Sequence, residues 1–255
     1  MVEFCAIASG SNGNCYYVGN EMDAVLIDAG INCRMFLKRM AIRGLSAEKI
    51  RAVFVSHEHA DHCRGLSVFS KRLNIPVYIT EKTRKRIRTY LRISKNLHLF
   101  VPGDSITIGS LTVHSFLKKH DAIEPCGFRI EYDSLNVGVF TDLGSICDQV
   151  IYHASQCQAL FLETNYDETL LWEGSYSQIL KKRISSDNGH LSNSQALELV
   201  RKHCHSNLQM VLLSHLSSEN NRPEIALSVF DEMKNRFRIE LTDRHAPSEV
   251  FTINN

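Results

Sequence analysis

Short apolar runs bounded by turn-forming residues recur along the whole chain. In the first third they predict strands at Val2–Ala8, Cys15–Val18, Ala24–Ile27 and Arg51–Ser56. Further strands are predicted at Val77–Thr80, Ser105–Ile108, Leu111–Phe116, Gly127–Tyr132, Val137–Thr141, Ala159–Leu162 and Met210–Ser214. Because Gly109-Ser110 and Ser134–Asn136 separate adjacent runs, we expect two hairpins in the middle of the chain.

Between these strands, the apolar positions change to a helical spacing. This spacing predicts helices at Arg34–Met40, Gly65–Leu73 and Lys82–Ile93, within Ser175–Ile184, at Asn193–His203 and in Pro223–Phe237. Each half of the chain is therefore a run of strands with helices behind it. This order indicates an α+β protein of the αββα sandwich type, with two packed sheets and helices on both outer faces. No linker or repeat interrupts the pattern, so we expect one domain over residues 1–255.

The composition narrows the class of protein. The chain has 255 residues, of which 44% are hydrophobic, and this is enough for a sizeable core. No apolar run approaches the ~20 residues that a membrane-spanning helix needs. The first residues also lack the pattern of a signal peptide. The eight cysteines include no C-x-x-C pair and are interpreted as reduced thiols, so we expect a cytoplasmic protein without membrane contact.

The most specific motif in the chain directly follows an apolar strand. It reads His57-Glu58-His59-Ala60-Asp61-His62. Side chains two positions apart on extended backbone point to the same side, so His57 and His59 can converge on one ion. Asp61 and His62 can face a second ion as the chain turns into a helix. Imidazole and carboxylate ligands suit zinc, manganese or iron, and a polar surface turn is the alternative interpretation.

Positive charge is concentrated in one segment. The net charge of the chain is +1, whereas Glu81–Lys95 carries seven basic residues and one acidic residue, a net of +6. At helical spacing, Arg84 and Arg88 lie on one face with Arg92, where they could contact nucleic-acid phosphates. A solvated helix face is the competing interpretation, and Lys181-Lys182-Arg183 is a second candidate patch.

The H-x-H-x-D-H motif resembles that of the metallo-β-lactamase superfamily, whose fold is an αββα sandwich. The resemblance implies a third histidine for the first ion, and His120 fits, with His114 as a nearby competitor. It also implies a bridging Asp142 and a final His215, each after a predicted strand. One ion would then be held by His57, His59 and His120, and the other by Asp61, His62 and His215. Two divalent ions, zinc or manganese and possibly iron, are the implied cofactors.

Further motifs resemble the YycJ/WalJ family of bacterial metal-dependent nucleases over nearly the whole chain. These motifs are Ser9–Asn14, Leu162-Glu163-Thr164-Asn165 and Gly189-His190-Leu191-Ser192-Asn193. The resemblance implies that His190 contacts the scissile phosphate and that Glu163 orients it, with Asp61 as a further catalytic residue. It also implies a 5′-to-3′ DNA exonuclease that attacks the phosphodiester with a metal-bridging hydroxide. A helix-capping histidine and a surface glutamate are the alternative.

Residues at the rim of the expected site are candidates for substrate contacts. Ser11, Asn12 and Asn14 lie in the Gly-rich loop, whose backbone amides could bind phosphate, and Asn193 follows His190. An ordinary β-turn is an equal alternative for the loop. Ser192 or Asn193 is also a plausible N-cap of the next helix.

Three classes of function stay open at this point. The first is a nuclease acting on DNA, without an obligate protein partner. The second is a small-molecule hydrolase such as a glyoxalase-II-like thioesterase or a lactonase, since this fold hosts several chemistries. The third is a non-catalytic, metal-dependent DNA-binding protein. The pair Glu163 and His190, together with the basic segment, favours the first.

Overall fold

The computed structural model of the protein describes residues 1–87 and 96–254, which form two packed β-sheets of seven strands each. The first sheet has the order β14-β1-β2-β3-β4-β5-β6. Its strands are β1 Val2–Ala8, β2 Cys15–Gly19, β3 Ala24–Ile27, β4 Ile50–Phe54, β5 Val77–Thr80, β6 Leu97–Phe100 and β14 Phe251–Ile253.

The second sheet has the order β13-β12-β11-β10-β9-β8-β7. Its strands are β7 Ser105–Ile108, β8 Leu111–Leu117, β9 Cys126–Tyr132, β10 Leu135–Phe140, β11 Ala159–Glu163, β12 Met210–Ser214 and β13 Arg238–Leu241. Strands β10 to β13 run parallel to one another, whereas β7 to β10 are antiparallel.

Helices cover the outer faces of both sheets. The helices are α1 Cys33–Ile42, α2 Ala60–Cys63, α3 Leu66–Leu73, α4 Glu81–Ile87, α5 Asp148–Ala154, α6 Glu168–Glu173, α7 Gln178–Ile184, α8 Asn193–His203 and α9 Pro223–Val229. Two single 3-10 turns lie at Ala47–Lys49 and Asp231–Met233. None of the helices in the described part of the chain has the length and apolar character needed to cross a bilayer.

The central strands are apolar on both sides because both of their faces are buried. Along β1, Phe4 packs between the sheets, with Phe161 of the second sheet 5.7 Å away between ring centroids. Ile7 lies on the opposite face, in the cluster that α1 joins through Phe36. A third cluster, including Leu160 of β11, fills the space beneath α5, α8 and α9. The layers are therefore helix, sheet, sheet and helix, which confirms the predicted αββα sandwich.

Several elements differ from the sequence prediction. Both hairpins form, but the predicted helix Lys82–Ile93 is described only as Glu81–Ile87, and the rest of that range lies outside the described residues. The predicted helix in Pro223–Phe237 ends at Val229 because the chain tightens into a 3-10 turn. The short elements β6, β13, β14, α5 and α6 were not predicted.

The sheet topology determines where polar side chains can gather. Strand β3 pairs in parallel with β4, and β10, β11 and β12 are parallel neighbours in the other sheet. The carboxyl ends of parallel strands meet at one edge, and loops on such a rigid edge commonly carry function. The segment from His57 to His62, Asp142 and His215 follow β4, β10 and β12, while His120 comes from the loop after β8.

Candidate metal centre

Three histidines from two loops form the first half of the site, called here the histidine triad: His57, His59 and His120. One ring nitrogen of each lies within 4.8 Å of the others. His57 Nε2 is 3.1 Å from His59 Nδ1, and the His120 ring centroid is 4.9 Å from that of His57. His120 Nδ1 donates to the carbonyl of Gly189, which turns its Nε2 toward the other two histidines.

The second half of the site, called here the acidic triad, consists of Asp61, His62 and His215. Their potential ligand atoms also lie within 4.8 Å of one another. Asp142 stands between the two triads. Its carboxylate oxygens are 3.3 Å from His62 Nε2, 3.6 Å from His215 Nε2 and 3.8 Å from His120 Nε2. The arrangement therefore brings together all seven of the predicted ligands. His114 lies elsewhere, paired with Glu131 on β8 and β9.

The donor atoms of this cluster fit a cation. His120 Nε2, His215 Nε2 and Asp142 Oδ2 are buried atoms without a hydrogen-bond partner among the described residues. His62 Nε2 lies near Asp142 Oδ2, but outside hydrogen-bond geometry. Buried polar groups normally have partners, so three such atoms within this cluster indicate that the cluster holds a further group. Imidazole and carboxylate suit zinc, manganese and iron.

A buried aspartate that sequence reasoning missed supports both triads. Asp28 follows β3, and its Oδ2 accepts from His62 Nδ1 at 2.7 Å and from Ser56 Oγ at 2.7 Å. Ser56 Oγ in turn lies 2.8 Å from His57 Nδ1. The carboxylate therefore fixes the tautomer of His62, directing Nε2 at the site, and reaches His57 through one hydroxyl. The available signal was an acidic residue directly after an apolar strand.

Three of these residues have left-handed backbone conformations. Asp28, Asp142 and His215 have φ angles of 65°, 55° and 58°. Non-glycine residues seldom adopt this conformation, and it is retained where surrounding structure holds the chain in place. The same local turn at three strand ends directs each side chain into the site.

His190 and Glu163 form the pair that the sequence predicted. His190 Nδ1 donates to Glu163 Oε1 at 2.8 Å, and His215 Nδ1 donates to the same oxygen at 2.8 Å. Glu163 Oε2 accepts from the backbone amides of Leu143 and Leu191. Both oxygens of Glu163 are therefore engaged, and one of them holds the rings of His190 and His215. The Nε2 of His190 is left facing a cavity beside the site.

That cavity has a volume of about 200 Å³. Its walls include His190, His215, Ser11, Tyr176 and Arg183. Arg183 is held against Asp121, whose carboxylate accepts from Arg183 Nε at 2.6 Å. The cavity therefore combines an imidazole, an aromatic ring and a guanidinium group next to both triads.

Burial and neighbouring charges shift the pKa values of three ligand histidines, in different directions in the two triads. Burial, reinforced by His62, holds the pKa of His57 well below its usual value, and burial lowers that of His120 to about 4. Burial alone would also lower the pKa of His62, but the carboxylates of Asp142 and Asp28 raise it well above its usual value.

The pKa values of two buried carboxylates, Asp142 and Glu163, are lowered by neighbouring histidines. Burial alone would raise the pKa of Asp142, but His215 and His62 lower it well below its usual value. In the same way, His190 and His215 overcome the burial of Glu163 and lower its pKa to about 2. Glu163 in turn raises the pKa of His190 against the effect of burial. The site therefore contains ionised carboxylates facing imidazoles.

The residues predicted to contact substrate lie in different surroundings. Ser11 is exposed and accepts from Arg244 Nη2 at 3.0 Å, and Asn12 Nδ2 donates to the carbonyl of Arg244. Asn14 is buried beside His62 Nε2, 3.0 Å away. Asn193 is completely buried and exchanges hydrogen bonds with Asn221. Ser192, with Gln195, forms the capping box of α8.

Several backbone amides in the loop of residues 9–14 donate hydrogen bonds to other groups of the protein. The amides of Gly10, Gly13 and Asn14 donate to Asn14 Oδ1, the Gly10 carbonyl and the Asp61 carbonyl. These three donors are therefore engaged within the protein. Nearby, Gly30 packs so closely on the Asp61 carbonyl that a Cβ would lie 1.6 Å from that oxygen.

The predicted basic surfaces are largely neutralised by partners. Arg84 donates to both carboxylate oxygens of Glu81, and Lys82 pairs with Glu124. Arg88 lies outside the described residues. In the second patch, Lys181 is buried and donates to the carbonyl of Trp172, while Lys182 is exposed.

Comparison with known proteins defines the class of this chain. A family model for the beta-lactamase superfamily domain matches residues 23–215, and the chain belongs to this superfamily. Members of the fold use divalent metal ions, in agreement with the donor set described above.

Two relatives share most of their length with this chain. It is 31% identical over 228 residues to exodeoxyribonuclease WalJ of Streptococcus pneumoniae, covering 88% of this chain and 85% of that protein. It is 30% identical over 259 residues to exodeoxyribonuclease YycJ of Bacillus anthracis, covering 98% of each. Among solved structures, the metallo-beta-lactamase fold protein YhfI from Bacillus subtilis superposes with a TM-score of 0.70. The two chains are 17% identical, and the match covers 98% of this chain and 100% of the other. At that identity the likeness concerns the fold alone.

Proposed function

We propose that this protein is a metal-dependent phosphodiesterase that degrades DNA as an exonuclease. The observation that carries the proposal is the placement of His190, which Glu163 holds against the two triads with Nε2 facing a cavity. Two relatives of nearly full coverage are named exodeoxyribonucleases, which supports DNA as the substrate.

In this proposal, His57, His59 and His120 hold one ion, and Asp61, His62 and His215 hold a second, with Asp142 shared between them. Zinc and manganese are the proposed ions, and iron suits the same donors. Two such ions would supply Lewis-acid stabilisation of the phosphoryl oxygens and a nucleophile generated from water. The remaining chemistry belongs to side chains of this protein.

His190 is the proposed contact to the reacting phosphate. Because Glu163 accepts from Nδ1, the proton on Nε2 of the imidazolium is free for a phosphate oxygen or for the departing oxygen. Glu163 raises the pKa of His190 against the effect of burial, which favours the protonated ring that can donate from Nε2. Asp61, whose side chain is 21% exposed, is the proposed ligand that borders the attacking water.

The surroundings of the site add two features to the proposal. Ser11 and Asn12 lie at the exposed rim, where they would contact the strand, whereas the buried Asn14 and Asn193 would hold the wall of the site. The eight cysteines are free thiols, which supports a cytoplasmic location.

The test is degradation of DNA labelled at either the 5′ or the 3′ end, with Mn²⁺ or Zn²⁺ added. A thioester and a lactone serve as parallel substrates. We expect mononucleotide release that depends on the metal and starts from the 5′ end. Intact DNA together with rapid thioester or lactone hydrolysis would contradict the proposal and favour a small-molecule hydrolase. Metal binding without turnover of any ester would favour a non-catalytic DNA-binding protein.

A further inference from the structure

A second cavity lies on the other side of the loop of residues 9–14, whose Asn14 contacts His62. Ser11 lines the cavity beside His190, whereas its neighbours Asn12 and Gly13 line the second one. The second cavity has a volume of about 300 Å³. Its charged wall is formed by Arg39, Arg64 and Arg244, and His245 also lines it.

None of the wall's arginines forms a close ion pair among the described residues, although Asp243 acts on Arg39 from a greater distance. Neither an aspartate nor a glutamate lines the cavity, and none of its three arginines has a carboxylate within 4.0 Å in the part of the chain that is described. Asp243 stands nearby, but its Oδ1 accepts from the amides of His245 and Ala246. This differs from α4, where Arg84 is neutralised by Glu81.

Arg39 is the least solvated of the three cations. Arg39 is only 7% exposed. Its guanidinium donates to the carbonyls of Ile7 and His245. A buried charge without an ionic partner is costly, and its desolvation is offset when an anion binds against it. The guanidinium fork also matches the geometry of a phosphate.

Two of the arginines are linked to the segments that carry the candidate ligands, Arg64 by the chain and Arg244 by a hydrogen bond. Arg64 follows Asp61 and His62 in the chain, and its Nη2 donates to the carbonyl of Asn12 at 2.7 Å. Arg244 Nη2 donates to Ser11 Oγ and lies 3.5 Å from the carbonyl of Leu216, the residue after His215. A group bound in this cavity therefore lies beside the metal centre rather than on a distant surface.

The positive wall continues beyond the cavity. A groove of about 500 Å³ shares Arg39 and His245 with it and follows α1 past Arg34 and Lys38. This continuity fits a chain of phosphates better than one small anion. Nonspecific contacts of this kind position the backbone of a nucleic acid without reading its bases.

We propose that the cavity formed by Arg39, Arg64 and Arg244 is a phosphate site for the DNA strand whose scissile bond lies at His190. This proposal rests on the proposed nuclease function. The phosphate has two sources, the 5′-terminal monoester and an internal diester of the same strand, and the two make different predictions for a 5′-hydroxyl strand.

The test measures binding to the metal-loaded protein without cleavage. The probe is a fluorescent single-stranded DNA with phosphorothioate linkages, made with a 5′-phosphate or a 5′-hydroxyl. We compare wild type with Arg64→Gln, Arg244→Gln and the double variant. Arg236→Gln is the matched control, since this exposed arginine precedes β13 whereas Arg244 follows it. Circular dichroism checks that each variant is folded.

We expect Arg64→Gln and Arg244→Gln each to weaken binding about tenfold. The slope of log K against log salt should fall by about 0.7 for each lost phosphate contact. A loss confined to the 5′-phosphorylated strand identifies the terminal phosphate, and an equal loss for both strands identifies an internal one. Folded variants that bind both strands like Arg236→Gln would overturn the proposal.

The outcomes separate this site from the proposed reaction. Arginine-dependent binding by a wild-type protein that never cleaves DNA would support the phosphate site and contradict the nuclease function. If wild type cleaves DNA and substitution of Arg64 and Arg244 leaves the affinity for DNA unchanged, the phosphate site alone is contradicted.

Discussion

The histidine triad and the acidic triad lie side by side, yet the pKa values of His57 and His120 are shifted down and that of His62 is shifted up. His57 and His120 have pKa values below the ordinary range, so both rings are neutral before any cation arrives. His62 lies among Asp28, Asp61 and Asp142, which raise its pKa, so it carries a proton at neutral pH. A histidine must be neutral to bind a metal ion. His62 must therefore release a proton before it binds an ion, whereas His57 and His120 need not.

Asp142 is the element common to both triads, and changing it has the largest expected effect. Asp142→Ala removes the carboxylate that lies within 3.8 Å of His62, His120 and His215. We expect loss of both ions and of all DNA hydrolysis. Elemental analysis and an exonuclease assay measure the two effects.

The control for this variant is Asp148→Ala, an exposed aspartate in the first turn of α5. It should keep full metal content and turnover. If Asp142→Ala retained two ions, the shared role of Asp142 between the triads would be wrong.

Asp28→Asn separates the two triads. The carboxylate bonds His62 directly but reaches His57 only through Ser56. We expect about 10- to 100-fold weaker binding of the ion at the acidic triad, because the support of a ligating histidine is worth about that much. The loss at the histidine triad should be smaller. Competition with a chelator of known affinity measures both.

Ser56→Ala is the matched variant, because it removes the link to His57 and leaves Asp28 on His62. It should affect chiefly the histidine triad. If Asp28→Asn and Ser56→Ala weakened metal binding at the acidic triad equally, the proposed distinction between the two triads would be wrong.

The pH dependence of metal binding gives the smallest effect. The raised pKa of His62 means that a proton must leave before the acidic triad can bind an ion. As pH falls below that pKa, the affinity of this triad should fall by about tenfold per pH unit. The pKa values of His57 and His120 are lowered, so these two ligands need not lose a proton, and the affinity of the histidine triad should fall less over the same range.

Calorimetry in two buffers with different ionisation enthalpies counts the protons released by each binding event. The first ion should bind at the histidine triad with little release, and the second should release about one proton. Equal proton release in both events would show that the two triads do not differ in this way.

The parts of the fold that the sequence predicted are those with a local pattern. Strands with both faces buried read as continuous apolar runs, and Gly109 marks its hairpin, with a φ of 59°. Strand β14 has only three residues and pairs with β1 across most of the chain, Phe4 opposite Phe251. No local sequence pattern indicates such a pairing.

The assignment of residues 1–255 to one domain stays a prediction.

In the site, too, the residues with a local sequence pattern were predicted and those that depend on long-range contacts were not. The H-x-H-x-D-H motif and the residues at strand ends carry their own signal, although their roles stay predictions until they are tested. Asp28 was missed because its importance lies in a contact with His62, 34 positions later. The arginines of the second cavity come from three distant segments, whereas the conspicuous cluster near Arg84 is paired with carboxylates.

His190 provides the most direct test of the account, since an ion held by Asp142, Glu163, His190 and His215 is the competing arrangement of the same atoms. The measurement is bound metal and DNA turnover in the same preparation of His190→Ala. We predict two ions per chain, as in wild type, and hydrolysis reduced by about 10²- to 10⁴-fold, the usual contribution of an acid–base group. Loss of an ion from His190→Ala would instead make His190 a metal ligand and contradict its role at the phosphate.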